Sequence, residues 1–237
     1  MNKPFVFKEF TIKQDQCAMK IGTDSVLLGA ITSLSKKPYS ILDIGAGTGV
    51  LALMLAQRSD AEIIDALEID ADAYEQCVDN FEQSPWGDRL FCYHASIKEF
   101  AEEIEDTYDL IVCNPPFYSE DYKTNDASRD LARFQDAMPF EHLIQAVTTL
   151  LNQDGKFSVI IPFKEKEAFI HLAEKVNLNP EKITKIRGHK ASEFKRVVIE
   201  FSYKKTAHTT SELTIEHDRH EYTNEYISLT KDFYLKM

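Results

Sequence analysis

The sequence predicts a doubly wound α/β fold: a mostly parallel sheet covered by helices and closed by an antiparallel hairpin. Three observations predict it. Short apolar runs alternate with longer amphipathic runs from Ile41 to Val176, the pattern of repeated βαβ units. The first apolar run leads into Gly45-Ala-Gly47-Thr-Gly49 and then a helix-like stretch, a turn built from the residue that accepts positive φ and lets backbone approach a ligand. Two β-rich runs, Lys182–Arg187 and Lys195–Tyr203, follow one another with no helix between them, so at least one final strand runs antiparallel.

Taken in order, residues 3–13 alternate in period two and predict a short strand or extended arm. Thr23 or Asp24 is placed to cap a helix through Val26–Thr32. Strand Ile41–Ile44 precedes helix Val50–Arg58, and strand Glu62–Leu67 precedes helix Ala71–Gln83. Strand Leu90–Tyr93 leads to a helix near Ile97–Glu105, and strand Leu110–Cys113 ends in Asn114-Pro-Pro-Phe117. After a polar loop come helix Phe140–Leu151, strand Lys156–Ile161 and helix Lys164–Val176. With the terminal hairpin the sheet has seven strands. Residues 204–212 read as a flexible loop, followed by a short strand at Leu213–Glu216 and a last helix at Tyr222–Leu235. The expected organisation is a single domain over 1–237: an N-terminal flanking segment (1–38), the core sheet (39–204) and a C-terminal tail (205–237).

A chain of 237 residues suffices for one full α/β domain and is too short for two large ones. No apolar run approaches the ~18 residues of a membrane span, and the first ten residues alternate charge with aromatics, unlike a signal peptide. Cys17, Cys77, Cys92 and Cys113 are scattered without a C-x-x-C pair, which argues against a zinc site or disulfide framework and fits a reducing compartment. The histidines show no ligand spacing, and His217 with His220 read as a solvated pair on a loop-like tail, so no metal is expected.

The net charge of −12 is unevenly spread. Residues 1–150 hold 12 basic and 26 acidic side chains, residues 151–237 hold 15 and 13, and the stretch 182–205 holds eight basic against two acidic. A local patch of this kind can meet phosphates on an acidic protein.

The chemistry-bearing residues sit at predicted strand ends, where ligands bind in open α/β sheets. The spacing G-x-G-x-G with Asp43 two residues ahead differs from the G-x-G-x-x-G of dinucleotide enzymes. Glu68 ends the second strand, where a carboxylate can accept both vicinal hydroxyls of a ribose; no basic residue follows to receive a 2′-phosphate. In Asn114-Pro115-Pro116-Phe117 the prolines stiffen the loop. The Asn side-chain oxygen and the Pro115 carbonyl can converge as two acceptors, which suits an NH₂ group. An exocyclic amine on a base is a poor nucleophile. Two hydrogen bonds to its protons favour the pyramidal form and aim the lone pair. Phe117 offers a face on which a flipped base can stack.

Together these residues resemble the amino-methyltransferase branch of the class I S-adenosylmethionine-dependent methyltransferases, whose signature is (N/D)-P-P-(Y/F/W), and imply its Rossmann-like sheet. Four further blocks sharpen the likeness: Asp15–Gly29, Ser84-Pro-Trp-Gly-Asp-Arg-Leu90, Tyr222-Thr-Asn-Glu-Tyr226 and Phe233-Tyr-Leu235. With them the chain is similar, over nearly its whole length, to the bacterial tRNA (adenine-N6)-methyltransferases, which modify the adenosine next to the anticodon of a valine tRNA. The resemblance implies a cytoplasmic enzyme, monomeric or weakly dimeric, that takes S-adenosyl-L-methionine and tRNA and transfers methyl by direct displacement. It implies a cofactor set of Lys20, Thr23, Asp24, Asp43, Gly45, Ala46, Gly47, Gly49, Glu68, Ile69, Ser96, Ile97 and Asn114, and a catalytic set of Asn114, Pro115, Pro116 and Phe117. Tyr118, Tyr122, Lys123, Arg129 and Arg133, with Lys190, Lys195 and Arg196, are candidates for RNA contacts.

The same motif serves enzymes that methylate the N2 amine of guanine in ribosomal RNA, adenine in DNA, and glutamine in protein, so the tetrapeptide reads an amine rather than one molecule. A cofactor-binding partner that does no chemistry would be expected to lose the glycines or the Asn-Pro-Pro-Phe loop, and both are intact. One departure stands out: Ser96 occupies the place of the acid that usually receives the cofactor's adenine amine, and a hydroxyl accepts that bond more weakly than a carboxylate. Cofactor affinity is therefore expected to be modest. Calorimetry checks it, and a dissociation constant well below micromolar would contradict it.

Overall fold

The computed structural model describes residues 3–116 and 138–237. A two-stranded antiparallel ribbon, β1 (Phe5–Val6) and β2 (Thr11–Ile12), precedes a nine-stranded sheet. The sheet strands are β3 (Ser40–Ile44), β4 (Ile63–Glu68), β5 (Leu90–His94), β6 (Tyr108–Cys113), β7 (Leu151–Pro162), β8 (Asn179–His189), β9 (Arg196–Ser202), β10 (Thr209–Asp218) and β11 (Glu221–Tyr222). Their spatial order is β11-β10-β8-β9-β7-β6-β3-β4-β5. The run from β7 to β5 is parallel. β9 lies antiparallel to both β7 and β8, and β10 returns parallel to β8.

Seven helices are described: α1 (Thr23–Ile31), α2 (Val50–Arg58), α3 (Ala71–Glu82), α4 (Ile97–Glu103), α5 (Phe140–Leu150), α6 (Lys166–Glu174) and α7 (Asn224–Thr230). They cover both faces of the sheet. Strand side chains alternate between faces, so Ile41 and Leu110 join one core with α1 and α2, while Leu42, Ile44 and Ile111 join the other with α5 and α6. Burial on both sides explains why β3 is closed to solvent throughout and apolar except for Ser40 at its start and Asp43, itself only 1% exposed. The same alternation puts Asp43, Glu68 and Asn114 on the α1–α2 side.

The fold follows the expected doubly wound architecture, with differences at its edges. The sheet has nine strands rather than seven. Residues 209–212, expected as flexible loop, belong to β10. This outer strand buries only Leu213 firmly, so its sequence carries little apolar alternation. The expected helix over Tyr222–Leu235 shrinks to α7: Thr223 caps its start, and the chain then turns so that Phe233 and Tyr234 pack against the N-terminal ribbon. α1 starts at Thr23 with Gly22 as N-cap and no side-chain cap bond, so neither Thr23 nor Asp24 caps it. β7 begins five residues earlier than expected, and a short 3₁₀ turn (Phe163–Glu165) precedes α6. His217 lies within β10, and His220, at φ 68°, sits in the turn to β11 rather than in a loose tail. No described helix is long and apolar enough to cross a membrane.

Gly49 caps α2 in the left-handed region, at φ 78°. A Cβ there would lie 2.5 Å from the Phe81 ring and 2.8 Å from Cys77 Sγ. Gly49→Ala therefore combines a strained backbone with overpacking. Its expected cost is about 3 kcal/mol, read as a lowered urea midpoint; an unchanged midpoint would contradict the packing.

Candidate functional site

Strand register builds the site. Ile44 of β3 pairs with Leu67 of β4 and Cys113 of β6, and Glu68 pairs with His94 of β5. The next residues, Gly45, Glu68, Asn114 and His94, therefore form one row across the carboxyl ends of four adjacent strands. At ~4.8 Å per strand, Asn114 stands roughly 10 Å from Glu68, with the glycine turn between them.

Gly45, Gly47 and Gly49 all take positive φ, 75°, 55° and 78°. The Gly45 and Ala46 N–H groups both donate to Leu67 O at 2.9 Å, folding the turn back over β4. At Gly45 and Gly47 a Cβ would meet nothing within 4 Å, so backbone lies open there. Glu68 holds the turn: its Oε2 accepts from Gly47 N at 2.7 Å, while Oε1 accepts from Ile69 N and Asp70 N, each at 2.9 Å. Three charge-assisted bonds compensate a carboxylate that is 9% exposed.

Asp43 sits beneath the turn and accepts from Ala52 N in the first turn of α2 at 3.2 Å. Burial lifts its carboxyl to about 7; the Ala52 N–H opposes this and the neighbouring Glu68 charge adds to it. The acid that precedes the glycines thus joins strand to helix.

The segment ahead of α1 forms one lip of the cleft. Asn80 of α3, 1% exposed, accepts from Lys13 N at 2.8 Å and donates to Lys13 O and Thr48 O at 2.9 Å. Gln76 of α3 accepts from Gln16 N at 2.9 Å. Sequence reasoning missed both clips, because polar residues on an amphipathic helix read as a solvated face. Cys17 on this lip is 9% exposed; burial pushes its thiol up to about 12, and the charges of Glu68, Asp70 and Asp15 push the same way. Lys20 and Thr23 are exposed further along.

Asn114 is half-buried, and its Nδ2 donates to Ser25 Oγ on α1 at 2.9 Å. That contact uses one of the amide's two N–H donors and orients Oδ1, which has no described partner, as an acceptor. Ser25 is a residue the sequence reading passed over, and only its place one turn into α1 could have pointed to it. One residue earlier, Asp24 Oδ2 accepts from Arg196 Nε at 2.7 Å, the pair being about three-quarters shielded from solvent. Arg196 is thereby tied to the lip rather than extended into solvent. Pro115 is buried and Pro116 half-buried. Phe117, Tyr118, Tyr122, Lys123, Arg129 and Arg133 lie outside the described residues.

On the far side of Glu68, Ile69 is 63% exposed, an apolar side chain left bare at the cleft rim. His94 Nε2–H donates to Ile69 O at 3.0 Å, and the ring stacks on Tyr74. Ile97 is 9% exposed. Ser96 caps α4 in a reciprocal capping box: its Oγ accepts from Glu99 N at 3.2 Å, and Glu99 Oε2 accepts from Ser96 N at 3.0 Å. The hydroxyl expected to face a ligand is therefore already engaged, and the signal was in the sequence as Ser-x-x-Glu. Lys190 and Lys195 are exposed on the β8–β9 turn. Among the described residues no cluster of His, Cys, Asp and Glu could hold a metal ion.

Residues 17–177 match the family model described as methyltransferase small domain. A protein of Flavobacterium psychrophilum named tRNA1(Val) (adenine(37)-N6)-methyltransferase is 63% identical over 98% of this chain and 100% of its own length. One of Flavobacterium johnsoniae with the same name is 62% identical over the same shares. Among solved structures, one from Agrobacterium tumefaciens described as a predicted O-methyltransferase superposes with a TM-score of 0.70 at 18% identity, covering 89% of this chain and 96% of that one; it supports the fold alone.

The buried Asp43 makes stability depend on pH. A carboxyl lifted to about 7 in the folded state favours folding at low pH, and that contribution is lost as pH rises from about 4 to about 7. Asp43→Asn keeps an acceptor for Ala52 N–H without the titration. The wild-type urea midpoint should fall relative to the variant across that range and run parallel to it above. A difference independent of pH would contradict the assignment.

Proposed function

The chain belongs to the methyltransferase small domain family, and on that premise we propose that it methylates N6 of the adenosine next to the anticodon of a valine tRNA, using S-adenosyl-L-methionine. The observation that carries the reading is the row at the sheet edge, with an oriented Asn114 one strand from the glycine turn and two from the Glu68 that braces it. The substrate is taken from the full-length relatives, whose names specify tRNA1(Val) and adenine(37)-N6.

The residues fit the cofactor. Open backbone at Gly45 and Gly47 suits its close approach, with Ala46 and Gly49 completing the turn, and the bare Ile69 with the buried Ile97 offers apolar surface to an adenine. Glu68 uses three of its roughly four acceptor positions on backbone, so a ribose hydroxyl takes the remaining one or displaces Gly47 N–H. Acids around the lip, Asp15, Glu68 and Asp70, favour a cationic ligand, and Lys20, Thr23 and Asp24 border its methionine end. Bound there, the cofactor would supply a sulfonium methyl for transfer to an amine nitrogen, with a neutral thioether as the leaving group.

The chain's own task is to prepare the amine. Asn114 Oδ1 accepts one amine hydrogen and the Pro115 carbonyl the other, which turns the nitrogen lone pair out of conjugation with the ring. Ser25 holds the Asn114 amide in the orientation that makes this possible. Pro115 and Pro116 fix the loop, Phe117 stacks on the base, and the amine proton leaves to solvent after transfer. No metal is invoked. The enzyme acts on tRNA in the cytoplasm as a monomer or weak homodimer, with Tyr118, Arg129, Arg133, Lys190, Lys195 and Arg196 as RNA contacts.

Labelled methyl offered with unmodified tRNA, ribosomal RNA, DNA and protein tests this directly. The expected product is N6-methyladenosine in tRNA; N2-methylguanosine in ribosomal RNA, or label confined to DNA or protein, would overturn the substrate. Asn114→Ala should bind cofactor yet lose roughly a hundredfold or more in kcat. Ser25→Ala should lose roughly tenfold in kcat with cofactor affinity little changed. Full activity in either variant would sink its role.

A further inference from the structure

The edge that carries Asn114 carries a second feature, unused by the cofactor or the target amine. Val159 of β7 pairs with Cys113, so β7 runs on past the row of Asn114 to Pro162, and Phe163 follows. Three residues of extension and one strand of offset put Phe163 roughly 11 Å from Asn114. Phe163 N donates to Lys195 O at 3.1 Å, and its ring lies 5.4 Å from that of Phe194 on the β8–β9 turn. Both rings are only partly buried.

Cations converge on this ring pair. Lys166 Nζ lies 5.5 Å from the Phe163 centroid, and Arg187 and Lys185 lie 5.0 and 5.5 Å from that of Phe194. Glu212 partly neutralises Lys185 and Arg187, at 3.7 and 3.5 Å, and Glu167 pairs with Lys166 at 2.8 Å. Lys164, Lys190 and Lys195 are exposed, with no described carboxylate in ion-pair range. Glu165 and Glu193 are the remaining acids of these turns. On a chain with a net charge of −12, the ledge is a local excess of positive charge around two partly exposed rings inclined at 44° to one another.

We propose that this ledge holds the RNA strand beside the target adenosine. Lys164, Lys190 and Lys195 take phosphates, and the Phe163–Phe194 pair, with the Arg187 guanidinium, offers a stacking face to an unpaired base. The proposal rests on the tRNA reading above and adds how an acidic protein grips a polyanion. Two features favour RNA over an acidic peptide: a base stacks on aromatic and guanidinium planes, and the ~11 Å between the Phe163 and Asn114 backbones along this edge is about the span of three stacked nucleotides. The ion pair of Arg196 with Asp24 links the foot of the ledge to α1, one residue from the Ser25 that orients Asn114.

The test compares the wild-type protein with Lys190→Glu/Lys195→Glu, with Phe194→Ala, and with a matched reversal on the opposite sheet edge, Lys36→Glu/Lys37→Glu. Direct tRNA binding, methyl-transfer kinetics and calorimetric cofactor binding are measured for each at several salt concentrations. The ledge predicts that the double reversal raises KM and Kd for tRNA roughly tenfold or more and lowers the salt slope by about two. Phe194→Ala should weaken tRNA binding at every salt concentration, the slope unchanged. Cofactor affinity and kcat at saturating tRNA stay near wild type in both, and the opposite-edge control stays near wild type throughout. Wild-type methylation of tRNA with ledge variants that bind it as tightly as the control overturns the ledge alone. A wild-type protein that neither binds nor methylates tRNA overturns the ledge together with the substrate assignment.

Discussion

Much of the site depends on one buried carboxylate. Glu68 accepts three backbone N–H groups, one from the turn after β3 and two from the turn after β4, and so ties the ends of adjacent strands together. Neither partner is dispensable. Without the acid, three amides at a partly buried edge lose their acceptor; without the amides, a charge 9% exposed loses its compensation. Positive φ at Gly47 turns that N–H toward the carboxylate, so the glycine serves the acid as well as the proposed cofactor site.

Asp43 complements this arrangement from below. It bonds the first turn of α2 from the end of β3, while Glu68 braces the loop above it. Two acids near one another raise the cost of ionising both, which is why burial and the Glu68 charge act together on Asp43. On the other flank α1 does comparable work. Its opening turn holds Asp24 against Arg196 of β9 and Ser25 against Asn114 after β6. A short helix thus relates the hairpin that borders the proposed RNA path to the amide proposed to meet the base.

The central sheet was legible because its strands are buried on both faces and so are written as apolar runs between amphipathic ones. The glycine turn and Asn114-Pro115-Pro116 were legible because few residues tolerate those backbones. β10 was not: an outer strand with one firmly buried side chain looks like a polar loop. Ser25, Gln76 and Asn80 were not, since each is a polar residue with a partner 60 or more residues away, and nothing local marks it. Ser96 was legible as a cap through Ser-x-x-Glu, and was read as a ligand contact because its position after β5 suggested one.

The ribbon at the start of the chain stacks Phe5 and Phe7 against Tyr234, Lys8 N donates to Phe233 O, and Lys8 Nζ reaches Lys231 O across 223 residues of sequence. These residues lead directly into the lip over the cleft. The lip is thus fastened from two places: Asn80 and Gln76 of α3 clip Lys13 and Gln16, and residues 231–234 hold the ribbon before it. The second fastening closes a far longer loop and costs more chain entropy than the first. A chain with only the α3 clips in place covers the glycine turn with a lip whose ribbon is still loose, so the most distant contact in the sequence is the one that stiffens the cover.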